Sequence, residues 1–117
     1  EQQIANLEEV FGQLGLAARG VTCEAILGIL DEGKEIMEEA EDPDALDAGM
    51  IASAQAVEHY EITRYGTLRR WAKMLSLTEA VDLLTETLEQ ESRADELLTK
   101  IADAEANAKA KSAVKTG

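Results

Sequence analysis

Aromatic residues, proline and cysteine are scarce in this 117-residue chain, which is 3% aromatic and contains one proline and one cysteine. A single cysteine cannot form an intrachain disulfide, so a disulfide-stabilised scaffold is excluded. Long hydrophobic runs are also missing: none approaches the roughly 20 residues that span a bilayer, and no segment resembles a secretory signal. We therefore expect a cytoplasmic protein without a membrane partner.

Basic residues are few as well, with 11 lysines and arginines against 24 acids and a formal net charge of -13. This charge repels the phosphates of nucleic acids and favours cations. Nucleic acid is therefore not an expected partner, despite a short basic patch at Arg69 and Arg70. Apolar residues make up 45% of the chain, enough to bury a core, and we predict one helical domain over residues 1–117.

Helix-start and helix-stop signals divide the sequence into segments. The first helix should end at about Leu14, because Gly15 can adopt the left-handed conformation found at helix ends. A second, shorter helix should begin at an N-cap formed by Thr22 and continue to about Ala40. Its apolar positions predict a half-buried helix that crosses between longer ones.

The second half of the sequence predicts two longer helices. Asp42 followed by Pro43 is a start signal, since proline suits the first helical position and aspartate accepts free amide hydrogens. Ser76 and Glu79 have the spacing of a capping box, so the fourth helix should follow almost directly and pack antiparallel to the third. The predicted helices cover about residues 1–14, 22–40, 43–75 and 76–100, and residues 101–117 are expected to fray.

Four carboxylates occupy positions with core spacing in the two long helices. Glu58 and Glu61 interrupt the apolar seam of the third helix, and Glu91 and Asp95 interrupt that of the fourth. If the helices fold back at Ser76, the two pairs lie at similar distances from the turn, because each residue adds about 1.5 Å. Unpaired carboxylates in a core cost several kcal/mol each, so they must be protonated, ion-paired or bound to cations.

A metal site is the interpretation that this constellation favours. Hard divalent cations prefer oxygen ligands, and bundle proteins that bind two iron or manganese ions direct glutamates inward from facing helices. We therefore predict a dinuclear iron or manganese centre. Its predicted ligands are Glu58, Glu61, Glu91 and Asp95, with Glu1 as a marginal addition; the four form one half of such a site.

A charge network is the alternative interpretation. Arg64 lies one turn from Glu61, and Arg93 lies two residues from Glu91. Long arginine side chains can reach over a helix edge and neutralise a core acid without any metal.

Two polar residues next to the acids have open roles. His59 lies one position off the seam, so it is predicted to be a partner of a ligand, or half-exposed, rather than a ligand itself. Tyr65 follows Glu61 by one turn, where its hydroxyl could bond a ligand acid or be satisfied within the packing.

The segments that contain these acids resemble the YciF-type stress-response family, a ferritin-like group of small bacterial proteins. The resemblance covers nearly the whole chain and is most specific at the sequence Glu-His-Tyr-Glu (58–61) and the following Tyr-Gly-Thr (65–67). It implies a four-helix bundle with a short additional crossover helix, a carboxylate site for two metals, dimerisation and induction under stress.

Two features of the sequence differ from that family. The opening bundle helix and the start of the next are absent, so we expect an N-terminally incomplete bundle that lacks the other ligands. Arg69, Arg70 and Trp71 stand where the family usually has small or aliphatic residues.

The expected function is therefore the stress-related binding of a dinuclear iron or manganese centre, and the bound metals could react with oxygen or peroxide. The rival hypothesis is a helical interaction protein that self-associates to complete its bundle and binds no metal. In both cases we expect a homo-oligomer, a dimer in the first instance.

Overall fold

The computed structural model describes residues 1–113, which contain helices and no strand. The helices are α1 (Gln2–Gln13), α2 (Glu24–Glu39), α3 (Pro43–Met74), α4 (Thr78–Ile101), a π-helical segment (Ala102–Ala106) and α5 (Asn107–Ala113). The prediction of an all-α fold with two long helices is confirmed. None of these helices combines the length and the hydrophobicity that crossing a lipid bilayer requires.

Local signals set the end of α1 and the start of α3 as predicted. Gly15 has a positive φ of 67°, the conformation that glycine adopts most readily after a helix end. Asp42 caps α3, since its Oδ1 atom accepts the amide hydrogens of Asp44 and Ala45, both at 2.9 Å. These bonds satisfy two of the amides that an unprotected helix start leaves without partners.

The predicted cap of α2 is wrong by one residue. Its N-cap is Cys23 rather than Thr22, with an extended backbone and no side-chain hydrogen bond to the helix start. The thiol of Cys23 instead lies 3.0 Å from the hydroxyl of Tyr60 on α3. This contact joins the start of α2 to α3.

The predicted capping box at Ser76 is also wrong. Ser76 has a positive φ of 59°, and α4 begins only at Thr78. The amide of Ser76 donates to the carbonyl of Lys73 at 3.2 Å, and the next amide, that of Leu77, donates to Ala72 at 3.0 Å. Ser76 therefore closes the end of α3 rather than starting α4, because so short a connection needs a left-handed residue to reverse the chain.

The C-terminal segment stays helical through Ala113 where fraying was predicted. Ala102 and Ala106 are buried, and an ion pair joins Lys109 to Glu105 one turn earlier. Burial of these alanines stabilises the helix, although the spacing of apolar residues in the sequence no longer indicates a buried face there. Residues 114–117 of the predicted tail lie outside the described residues.

The described chain forms two compact units, and α3 and α4 contribute to both. The first unit contains residues 1–22 and 61–92. Its core is formed by Ala72, Ala80 and Leu84, with partly buried apolar side chains from α1, α3 and α4 around them. Contacts between alanines let α3 and α4 approach closely near the turn, where the helices are antiparallel, as predicted.

The second unit contains residues 23–60 and the chain from Arg93 onward. Here Gln55 on α3 donates to Asp95 at 3.1 Å and to Thr99 at 2.8 Å, so polar bonds join α3 to α4. Helix α2 packs on α3 at Gly49, where a β-carbon would lie only 2.5 Å from Cγ2 of Ile36.

Gly49→Ala should destabilise the protein by about 1–3 kcal/mol, because the added methyl overpacks the contact with Ile36 by more than helix propensity can offset. The matched control is Gly28→Ala in α2, where nothing lies within 4 Å of an added β-carbon. That substitution should stabilise the helix by about 0.5–1 kcal/mol. Urea denaturation of both variants measures the difference, and equal midpoints would contradict the close packing at Gly49.

Candidate metal centre

Two of the predicted ligand acids come together within the first unit. Glu61 on α3 and Glu91 on α4 each offer a carboxylate oxygen, and these oxygens lie within 4.8 Å of one another. Glu58 precedes Glu61 by three residues on the same uninterrupted helix, so helix geometry alone places their side chains one turn apart on one face. Glu91 faces Glu61 from α4 because these helices run antiparallel.

The acid cluster is partly withdrawn from water. Glu91 is only 4% exposed, and Glu58 and Glu61 are half-buried. Burial raises the pKa of the Glu61 carboxyl, and the negative charge of Glu91 and a hydrogen bond with Glu91 raise it further. All three causes favour a protonated Glu61, the opposite of what an arginine ion pair would do to this carboxyl. A proton or a cation between Glu61 and Glu91 therefore stabilises this pair of carboxyl groups.

Tyr65 lies one turn beyond Glu61 and is half-buried near the cluster. Burial raises the pKa of its phenol, and the charges of Glu61 and Glu91 raise it further. Tyr65 therefore stays neutral at physiological pH and adds no negative charge to the cluster. Its predicted proximity to the acids is confirmed, while a bond from its hydroxyl to a ligand remains a prediction.

Helix α1 contributes amide side chains that sequence reasoning missed. Gln3 donates a hydrogen bond from Nε2 to Oε1 of Glu91 and a longer one, at 3.4 Å, to Gln90. One turn along α1, the buried Asn6 donates to the hydroxyl of the buried Thr87 at 3.4 Å. The available signal was the spacing, since both amides lie at core-type positions of an otherwise apolar helix face.

Asp95 is not among the acids that the structure brings together. Its Oδ2 lies 3.1 Å from Nε2 of His59, and its Oδ1 accepts the bond from Gln55. His59 is therefore the partner of a predicted ligand, while Asp95 as a metal ligand remains a prediction. Glu1, the marginal addition, is exposed and also lies outside the group.

Comparison with known proteins gives consistent matches along this chain. The family described as Domain of unknown function (DUF892) matches residues 1–111. The protein YciF of Escherichia coli (strain K12) is 40% identical over 117 residues, covering 91% of this chain and 70% of YciF. The predicted resemblance to the YciF-type family is confirmed by these matches.

Two solved structures share the fold. The crystal structure of the E. coli stress protein YciF superposes with a TM-score of 0.84 at 40% identity, covering 90% of this chain and 67% of that one. YcfI from Rhodopseudomonas palustris superposes with a TM-score of 0.81 at 46% identity, covering 84% of this chain and 62% of that one. The chain thus spans between 62% and 70% of the length of these relatives.

Proposed function

The chain belongs to the DUF892 family, and from its acid cluster we propose that it binds divalent iron or manganese through Glu58, Glu61 and Glu91. The donor set is all oxygen, which suits hard or borderline divalent cations with a preference for carboxylates. A bound iron or manganese ion would supply redox chemistry with oxygen or peroxide. The residues of this chain hold the ion, orient its ligands and limit the access of water.

The observation that carries the proposal is the mutual approach of Glu61 and Glu91 in a partly dry site. Burial raises the pKa of Glu61, and the charge of Glu91 and a hydrogen bond with it raise it further, so the two carboxylates cannot both ionise without cost. A divalent cation removes that cost by taking the place of the shared proton. The amide of Gln3, hydrogen-bonded to Glu91, would then fix the orientation of a ligand carboxylate.

A second ion requires more oxygen ligands than three monodentate carboxylates provide. Asp95 lies one turn beyond Glu91 on α4, and we propose it as the fourth carboxylate of a dinuclear centre. In that role it would exchange the contact with His59 for the metal. The E. coli relative is described as a stress protein, and sequestering or oxidising redox-active iron is a function that would serve a cell under stress.

Isothermal titration with Mn²⁺ tests this proposal, with Fe²⁺ added anaerobically in parallel. We expect about two metal ions per complete helical bundle. Metal binding should also release protons from the carboxyl groups of the cluster. Glu91→Gln should weaken binding at least tenfold, about 1.4 kcal/mol, because it removes a ligand oxygen's charge. Glu96→Gln removes the same charge from an exposed position of α4 and should leave binding unchanged.

A non-metallic interaction protein is the second candidate, and exposed apolar side chains favour it. In the second unit Leu30, Met37 and Met50 line an apolar groove of about 170 Å³ along α2 and α3, and all three are more than two-fifths exposed. A second copy of the chain would cover such a groove. The same titration separates the two: a self-associating protein that takes up no Mn²⁺ would exclude the metal proposal.

A further inference from the structure

A cationic groove lies at the end of α3, within the first unit. The groove is open to solvent and has a volume of about 690 Å³. It is lined by Arg69, Arg70 and Lys73, together with Met74 and smaller residues of α3 and α4. The underlying sequence is unusual for this chain. Residues 62–78 include four basic residues and no acid, although the chain as a whole carries a net charge of -13.

The three cations of this groove have no ion-pair partner among the acids that the structure describes. All three line the same groove, and Lys73 lies about one helical turn from each arginine. A protein with 24 acids therefore keeps one small surface that attracts negative charge.

A large apolar side chain is exposed among these cations. Met74, which lines the groove, is 76% exposed, and Val81 of α4 lines the same groove. Arginine and methionine are among the residue types enriched where proteins contact one another. The surface thus combines charge with an apolar area that an isolated inorganic anion could not use.

We propose that this groove binds an acidic amphipathic helical segment of a partner protein. Glutamate or aspartate side chains of that segment would pair with Arg69, Arg70 and Lys73, and its apolar stripe would cover Met74 and Val81. The arginines suit this role because their planar guanidinium groups bind carboxylates in a bidentate manner.

The extent of the cationic surface favours a short acidic segment over a nucleic acid. From Arg69 to Lys73 the helix advances only about 6 Å, which matches two or three charges. A nucleic acid carries a charge every few ångströms and would extend from this groove over an acidic surface that repels it.

Fluorescence anisotropy of a labelled synthetic helix tests the proposal. The probe is a peptide of about 18 residues, five turns, with leucine along one stripe and glutamate on both sides of it. We expect saturable binding at about 0.1 M salt. A peptide with glutamine in place of glutamate should bind at least tenfold more weakly.

The variant Arg69→Gln/Arg70→Gln/Lys73→Gln should lose at least tenfold in affinity for the glutamate peptide. The matched control replaces three exposed cations elsewhere, Arg19→Gln/Lys100→Gln/Lys111→Gln, and should bind normally. If circular dichroism shows that the triple variant is unfolded, the single variant Lys73→Gln should still weaken binding severalfold.

Equal affinity of the triple variant and the control would overturn the proposal. So would displacement of the peptide by a thymidine oligonucleotide of about 15 nucleotides, or by inorganic phosphate, at the concentration at which unlabelled peptide displaces it. The Mn²⁺ titration of the triple variant should match that of the wild type, because none of the three cations belongs to the acid cluster.

Discussion

Replacing Glu61 by glutamine should stabilise the metal-free protein at pH 7 and abolish most of the stabilisation that Mn²⁺ gives to the wild type. The pKa of Glu61 is raised in the folded state, so its contribution to stability is present below the usual pKa of a glutamate. That contribution is lost as the pH rises through the higher folded pKa. Glutamine stays uncharged throughout and keeps the hydrogen-bonding capacity of the protonated acid.

Urea denaturation between pH 4 and 8, values that span the ordinary glutamate pKa of about 4.3, measures this effect. We expect the stability advantage of Glu61→Gln over the wild type to be small at the acidic end and to grow toward neutrality. With Mn²⁺ at about 100 times its dissociation constant, the wild type should gain about 2.7 kcal/mol and the variant far less.

The control for this experiment is again Glu96→Gln, an exposed charge on α4 whose removal should not change the dependence on pH or on metal. The interpretation fails if Glu61→Gln destabilises the metal-free protein at pH 7. That result would mean that the charge of Glu61 is compensated within the fold and that no cation is needed at this position.

Leu84→Ala should be the most destabilising single truncation in the first unit, at about 2–4 kcal/mol. Leu84 is 4% exposed, and it is the one large side chain in a buried cluster otherwise made of Ala72 and Ala80. Truncation removes apolar burial and leaves a cavity that two neighbouring alanines are too small to fill.

Leu97→Ala provides the comparison, since Leu97 lies on the same helix and is 58% exposed. Its truncation should change the free energy of unfolding by about 0.5 kcal/mol or less. Urea denaturation at a single pH separates the two. Similar losses for both leucines would show that the small cluster at Leu84 is not the main apolar core of its unit.

Parts of the fold could be predicted because they depend on neighbouring residues only. Gly15 and the pair Asp42 and Pro43 act within one turn of the chain, and both behave as the sequence indicates. The grouping of Glu61 with Glu91 was also within reach. Periodicity gives the helix face, and the short turn gives the distance along the antiparallel partner.

Other features depend on competition that a linear pattern does not reveal. Ser76 is a good capping residue, but the turn needed it in a left-handed conformation, which removed it from the start of α4. Asp95 shares the helix face of Glu91, yet His59 and Gln55 take both of its oxygens. Gln3 reaches Glu91 from a distant part of the chain, which only the tertiary structure brings near.

The π-helical turn at Ala102–Ala106 changes the direction in which the side chains of α5 point. In this turn the amide of Asn107 bonds to the carbonyl of Ala102, five residues earlier, so the segment holds one residue more than an α-helical turn would. Each extra residue rotates everything after it by about 100°. The side chains of α5 are therefore rotated by about 100° relative to a straight α-helical extension of α4, and deletion of a single residue within Ala102–Ala106 should remove that rotation.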